Sequence, residues 1–121
     1  VSSLYGEVIA RNIRAARSRV DINQETLAGR MRALGYSAWL RQTVANVEKG
    51  RRRVTAEEVL GLALALETAM PDLMRPAAQD GDVVLPGGRL LAGVSVERLA
   101  GGGVNDRGLT WPPDGRPGSA A

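Results

Sequence analysis

The sequence predicts an all-α domain of five helices followed by a small glycine-rich appendage. Three observations predict it. Apolar residues recur at helical spacing over residues 4–74. Helix-start signals punctuate that stretch, Asn23 before one apolar series and Thr55-Ala56-Glu57-Glu58 before another. Beyond it the composition changes, and ten of the fifteen glycines fall between Gly81 and Gly118. The expected division is residues 1–76 as the helical domain, 77–111 as the appendage and 112–121 as a disordered Pro-, Gly- and Ala-rich tail.

The first helix is expected over Leu4 to Val20, with Ile9, Ile13 and Ala16 on its apolar side. Asn23 is a plausible cap for a second, Gln24 to Ala33, burying Leu27, Ala28 and Met31. Leu34-Gly35-Tyr36-Ser37 breaks the pattern, and Ser37 is a candidate cap for a third helix, Ala38 to Lys49. The Thr55–Glu58 box starts a fourth, Ala56 to about Glu67, whose inward set is Val59, Leu62, Ala63 and Leu66. Leu60 and Leu64 lean off that set and need another surface, either the appendage or a second subunit. Pro71 opens a short fifth helix. Arg75 to Gly81 is expected as a linker. A hairpin then follows, Asp82–Leu85 and Arg89–Leu91 about a Pro86-Gly87-Gly88 turn. Ser95–Ala100 is expected as one or two helical turns ended by three glycines, and Leu109–Trp111 as a short strand.

Composition excludes several chemistries. The chain of 121 residues has no cysteine and no histidine. That removes disulfides, thiolate nucleophiles, Cys/His zinc sites and a Ser-His-Asp triad. Asp80, Asp82 and Asp106 are isolated loop carboxylates, and neither Pro86-Gly87-Gly88 nor Gly101-Gly102-Gly103 has the setting of a phosphate-cradling loop. No enzyme activity, cofactor or metal site is therefore expected. The apolar run Leu60–Leu66 is too short to span a membrane, and the opening residues lack a signal-peptide pattern, so a cytoplasmic, nucleoid-associated location is expected.

Charge is uneven. Residues 1–54 hold eleven Arg or Lys against four Asp or Glu, and residues 55–121 hold five against nine. A basic half of this kind suits a polyanion. Fifteen of the sixteen basic residues are Arg, as a GC-rich genome produces, so placement is the stronger argument. Read as a helix, Leu40, Val44 and Val47 fall on one side, and Arg41, Gln42, Ala45, Asn46 and Lys49 on the other. The second face carries long donors, amides and one small residue permitting close approach, which fits the DNA major groove. Gly50 can stop the helix, placing Arg51, Arg52 and Arg53 beside phosphates. Trp39 is expected to pack against Tyr36 and the long turn.

Together Ile13, Arg17, Ile22-Asn23-Gln24-Glu25-Thr26-Leu27-Ala28 and Thr43-Val44-Ala45-Asn46-Val47-Glu48-Lys49-Gly50-Arg51-Arg52 resemble the phage repressor and Cro-like helix-turn-helix family, often called XRE. The resemblance covers residues 4–74. It implies a five-helix lambda-repressor-like domain that binds operator DNA, usually as a homodimer, with the third helix in the major groove. It implies base contacts by Arg41, Gln42, Ala45 and Asn46. Phosphate contacts are implied for Gln24, Thr43, Lys49, Gly50 and Arg51, and Arg52 and Arg53 extend that basic loop. Arg17 and Glu48 match a structural ion pair between the first and third helices. The chain departs from the pattern in its long connection from Met31 to Leu40, and Leu40 stands where a Ser or Thr cap is common; an early start of the third helix, at Ser37, accommodates both. The expected function is a sequence-specific double-stranded DNA-binding transcriptional regulator, a repressor by resemblance. The alternative is an antitoxin-like or adaptor module that binds a protein partner through residues 82–111.

Overall fold

The computed structural model describes residues 2–104. A strand β1 (Ser2–Leu4) leads into α1 (Tyr5–Arg19), α2 (Gln24–Ala33), α3 (Arg41–Glu48), α4 (Ala56–Ala65) and α5 (Met70–Met74). A 3-10 turn (Ala78–Asp80), β2 (Asp82–Val84), β3 (Leu90–Leu91) and α6 (Gly93–Ala100) complete the described chain. The fold is thus mostly helical, with six helices among the described residues and a small sheet.

Capping fixes two of the helices much as their sequences suggest. The Asn23 side chain accepts from the Thr26 amide at 2.8 Å and starts α2. Thr55 and Glu58 satisfy each other's amides at the head of α4, at 3.2 and 2.8 Å. The core lies between α1 to α5 and is built from Ile13, Leu27, Met31, Val44, Leu62, Leu66 and Leu73, all essentially covered.

The third helix departs from expectation. It begins at Arg41 and not at Ala38, and Ser37 caps nothing. Its first free amide, Leu40 N–H, is instead taken by the Thr43 hydroxyl at 3.1 Å, one turn into the helix. Leu40, expected on the buried side, is 59% exposed, because the chain there is still extended. The preceding connection is ordered by burial of Trp39, which is only 2% exposed. Trp39 donates its indole N–H to Glu58 at 2.8 Å, and Arg32 holds its carbonyl at 2.8 Å. Tyr36 lies across Gly61 of α4, where a Cβ would stand 2.4 Å from the ring, so only glycine admits this packing. Leu60 and Leu64 remain 50% and 59% exposed, uncovered by the described part of the appendage.

The N-terminus and the appendage interlock. Leu4, expected in the first helix, belongs to β1, which pairs in parallel with β2 with Ser3 opposite Val83. The expected hairpin forms, with Val83 opposite Leu91, but β1 makes it a three-stranded sheet in the order β1-β2-β3. The stretch expected as a linker is docked. Asp80 is buried and accepts both terminal nitrogens of Arg11 in α1, one at 2.6 Å, and the Ala77 amide at 2.6 Å. Tyr5 donates to the Met74 carbonyl at 2.9 Å, and Asn12 to those of Leu73 and Arg75 at 3.2 and 2.8 Å. α6 covers the sheet with Val96 and ends at Gly101, close to the expected short helix. Asp106, the Leu109–Trp111 strand and the 112–121 tail lie outside the described residues.

Candidate nucleic-acid interface

α3 is bound to the domain by one side. Val44, Val47 and Glu48 are buried on that side. Glu48 is held by Arg17, whose Nε and a terminal nitrogen donate to its two oxygens at 2.6 and 2.9 Å, and by Gln24 at 3.1 Å. The third Arg17 donor reaches the Ile22 carbonyl at 2.9 Å, which fixes the turn between α1 and α2. These bonds to Glu48 raise the Arg17 pKa against the opposing effect of burial. Gln24, at the head of α2, therefore braces α3 through Glu48, and its carbonyl oxygen has no partner among the described residues.

Arg41 and Gln42 are exposed on the other side of α3, with Asn46 half-buried and Lys49 exposed one turn on. Gln42 and Asn46 are joined, the Gln42 amide donating to the Asn46 carbonyl oxygen at 3.2 Å. The pair leaves the Gln42 carbonyl oxygen and the Asn46 N–H₂ without a partner among the described residues. Ala45, expected among the base-facing residues, is only 7% exposed, so its methyl offers little surface of its own.

The basic loop after α3 divides into two roles. Gly50 turns the chain with φ 72°, and the amides of Arg51 and Arg52 return to the Asn46 carbonyl at 2.9 and 3.2 Å. Arg51 and Arg53 are exposed. Arg52 is not free in the way its neighbours are. Its guanidinium makes two bonds to Glu58, at 3.1 and 2.8 Å, and lies over the Trp39 ring at 5.0 Å from the centroid. Its pKa is raised by the bonds to Glu58, against burial. Burial pushes the Glu58 carboxyl up, but Arg52, the Thr55 amide and the Trp39 indole outweigh it and bring it down to about 2. This network escapes a reading by residue type, since three adjacent arginines look alike. The signal available is an acidic third helical position in a capping box, six residues from an arginine.

Two other expected phosphate donors are engaged within the chain. The Gly50 amide donates to the Val47 carbonyl at 3.0 Å, closing the end of α3. The Thr43 hydroxyl accepts from Leu40 and faces the Ala38 carbonyl at 3.4 Å. Exposed cations that the structure leaves without a carboxylate among the described residues are Arg41, Lys49, Arg51 and Arg53 on this side. No helix among the described residues is long and apolar enough to cross a membrane.

Compared with known proteins, the chain matches no family model and no curated protein. Among solved structures it is similar to the restriction-modification controller protein C.AhdI from Aeromonas hydrophila, at 29% identity and a TM-score of 0.49. The match covers 56% of this chain and 94% of that one. A likeness at that score is too slight to assign a fold family or a function.

Proposed function

We propose that the chain is a sequence-specific double-stranded DNA-binding transcriptional regulator of the lambda-repressor-like helix-turn-helix type, reading the major groove with α3 and acting as a homodimer, with repression as its mode. One observation carries the reading. α3 is seated by Val44, Val47 and Glu48 while Arg41, Gln42 and Asn46 stand on the side away from that seat, with Lys49, Arg51 and Arg53 at its end. Base edges in the major groove accept from arginine at guanine and exchange paired bonds with an amide at adenine. Cations flanking the helix neutralise phosphates and hold it in register. Arg41, Gln42 and Asn46 read bases in this scheme, and Ala45 contributes only by keeping the ridge low. Gln24, Lys49, Arg51 and Arg53 carry the phosphate contacts.

A binding selection from random duplex DNA with the full chain tests it. Enrichment of one motif, lost when Arg41 and Asn46 are replaced by Ala in a chain that still melts cooperatively, is the expected result. A pool that stays random at low salt sinks the reading of a sequence-specific binder.

The adaptor alternative retains one supporting observation, the exposure of Leu90, Val94 and Leu99 on the appendage. Replacing Val94 and Leu99 by Ser separates the two. Loss of activity in cells with duplex affinity intact favours a protein partner there.

A further inference from the structure

A cleft of about 400 Å³ opens between the first turn of α1, the loop after α3 and the β2–β3 turn, among Gly6, Ile9, Val47, Val54 and Val84. Val47 is buried and Ile9, Val54 and Val84 are half-buried, so the floor is aliphatic. Lys49 and Arg53 also line it, both are exposed, and neither has a carboxylate partner among the described residues. The carboxylates nearest in sequence are spent, Glu48 on Arg17 and Gln24, Glu58 on Arg52, Trp39 and Thr55. Glu7 is the one acid in the lining, so Lys49 and Arg53 leave a net positive charge there; Arg52 also lines the cleft but is paired with Glu58.

We propose that this cleft binds an amphipathic organic anion, an aliphatic or aromatic carboxylate whose body lies against Ile9, Val47, Val54 and Val84 and whose charge meets Lys49 and Arg53. The volume falls within the range of small-molecule sites, roughly 300–1,000 Å³, and an apolar wall with a few convergent polar groups is their usual chemistry. A charge-assisted bond to either cation supplies orientation, and the aliphatic floor supplies contact area. The site has a consequence that rests on the DNA reading above. Lys49 and Arg53 are also the cations offered to phosphates, so ligand and duplex draw on the same charges and each weakens the other by the same factor.

Calorimetry of the full chain without DNA, with octanoate, octanol and octylamine as probes, tests the site. Octanoate should bind saturably at one site, with octanol and octylamine about tenfold weaker or worse, since each lacks the charge-assisted bond. Gly6 lines the cleft and is exposed, and a Cβ there meets nothing within 4 Å, so Gly6→Phe should be accommodated by the fold and should crowd the cleft with its ring. It should lower octanoate affinity about tenfold with the melting temperature held. Arg53→Gln should lower it without touching the floor. No octanoate binding, equal binding of octanol or octylamine, or affinity unchanged in a folded Gly6→Phe overturns the site. A labelled duplex titrated with and without saturating octanoate tests the coupling, and its affinity should fall about threefold as shared cations are occupied. Unchanged duplex affinity overturns the coupling. No duplex binding under any condition overturns the DNA reading and the coupling with it, and leaves the calorimetric result standing.

Discussion

The guanidinium of Arg52 is bonded at both terminal nitrogens to Glu58 and stacked above Trp39, so the loop after α3 is tied to the head of α4 and to the connection before α3 at once. Glu58 also caps its own helix through Thr55. Four donor nitrogens from three residues thus share one carboxylate. It fixes Arg52 between Arg51 and Arg53, which are both exposed.

The two sides of that loop should respond differently to mutation. Arg52→Ala leaves Glu58, nearly buried, without its cation, and should destabilise the chain by about 2 kcal/mol. Arg53→Ala removes an exposed charge and should leave stability within about 0.5 kcal/mol. Chemical denaturation of the two variants checks the contrast. Equal stabilities would mean that Arg52 is as idle in the folded state as its sequence neighbours.

Acid should expose the same network. The Glu58 carboxyl titrates at about 2 when folded, below its usual value. A depressed carboxylate contributes stability that is present above the unfolded pKa, near 4.3, and lost as pH falls through the folded value. The contribution is about 2 kcal/mol after allowing for screening at the partly exposed Arg52. Between pH 5 and 2, in the window set by those two values, the parent chain should therefore lose stability more steeply than Glu58→Gln. Parallel pH curves for the two would remove Glu58 from the account. Asp80, also held below its usual range, first by its bonds to Arg11, adds to the slope with the same sign.

The helices could be read from the sequence where short-range chemistry decides them. α2 follows from Asn23 and the spacing of Leu27, Ala28 and Met31, and α4 from the reciprocal Thr55–Glu58 cap. The Arg17–Glu48 pair came through resemblance, and the structure forms it. What escaped is what distance in sequence hides. β1 is three residues long, too short for periodicity, and its partner Asp82–Val84 lies beyond α1 to α5 in the sequence. Asp80 looked like a linker residue because nothing local announces Arg11. Ser37 looked like a cap because it is the right residue type, whereas burial of Trp39 keeps the chain irregular until Leu40. At the candidate interface, the outward set Arg41, Gln42 and Asn46 was legible from the helical wheel. The low exposure of Ala45 and the engagement of Arg52, Thr43 and Gly50 depend on neighbours that a wheel does not contain.

Removing Glu48 should act through the fold. Arg17 is mostly covered and all three of its bonded nitrogens are fixed by Glu48 and the Ile22 carbonyl. Glu48→Ala strands that cation and releases Gln24, at a cost of about 3–5 kcal/mol. Thermal melting should show the loss, and DNA binding should recover at low temperature where the variant is folded. Affinity lost while the chain is demonstrably folded would give Glu48 a direct part in binding.

Truncation after Met74 should weaken the helical domain, contrary to what a flexible linker would allow. It deletes Asp80 and β2, leaving Arg11 unpaired and β1 without its neighbour. Loss of that buried carboxylate alone should cost about 2 kcal/mol or more. A chain ending after Val84 retains the Asp80 pair and β1–β2 pairing and should recover part of the loss. If the chain ending at Met74 melts like the full chain, the appendage is an ornament on the fold.

Substitutions on the outward ridge should alter binding and spare the fold. Arg41 and Gln42 are exposed, so replacing either by Ala removes little packing. On the duplex best selected by the full chain, Arg41→Ala and Asn46→Ala should each cost ~1–3 kcal/mol and relax the sequence preference at one position. Gln42 and Asn46 act through a shared bond, so their double replacement should cost less than the two single costs added. Arg51→Ala and Arg53→Ala should behave otherwise, weakening every duplex alike. With Lys49, Arg51 and Arg53 each releasing one counterion, log Kd should change with log salt by about 3 per chain, and each Ala should flatten that slope by about 1. A slope near zero in the parent would mean that these cations meet no phosphates, and a specificity unmoved by Arg41→Ala would place the reading side chains elsewhere.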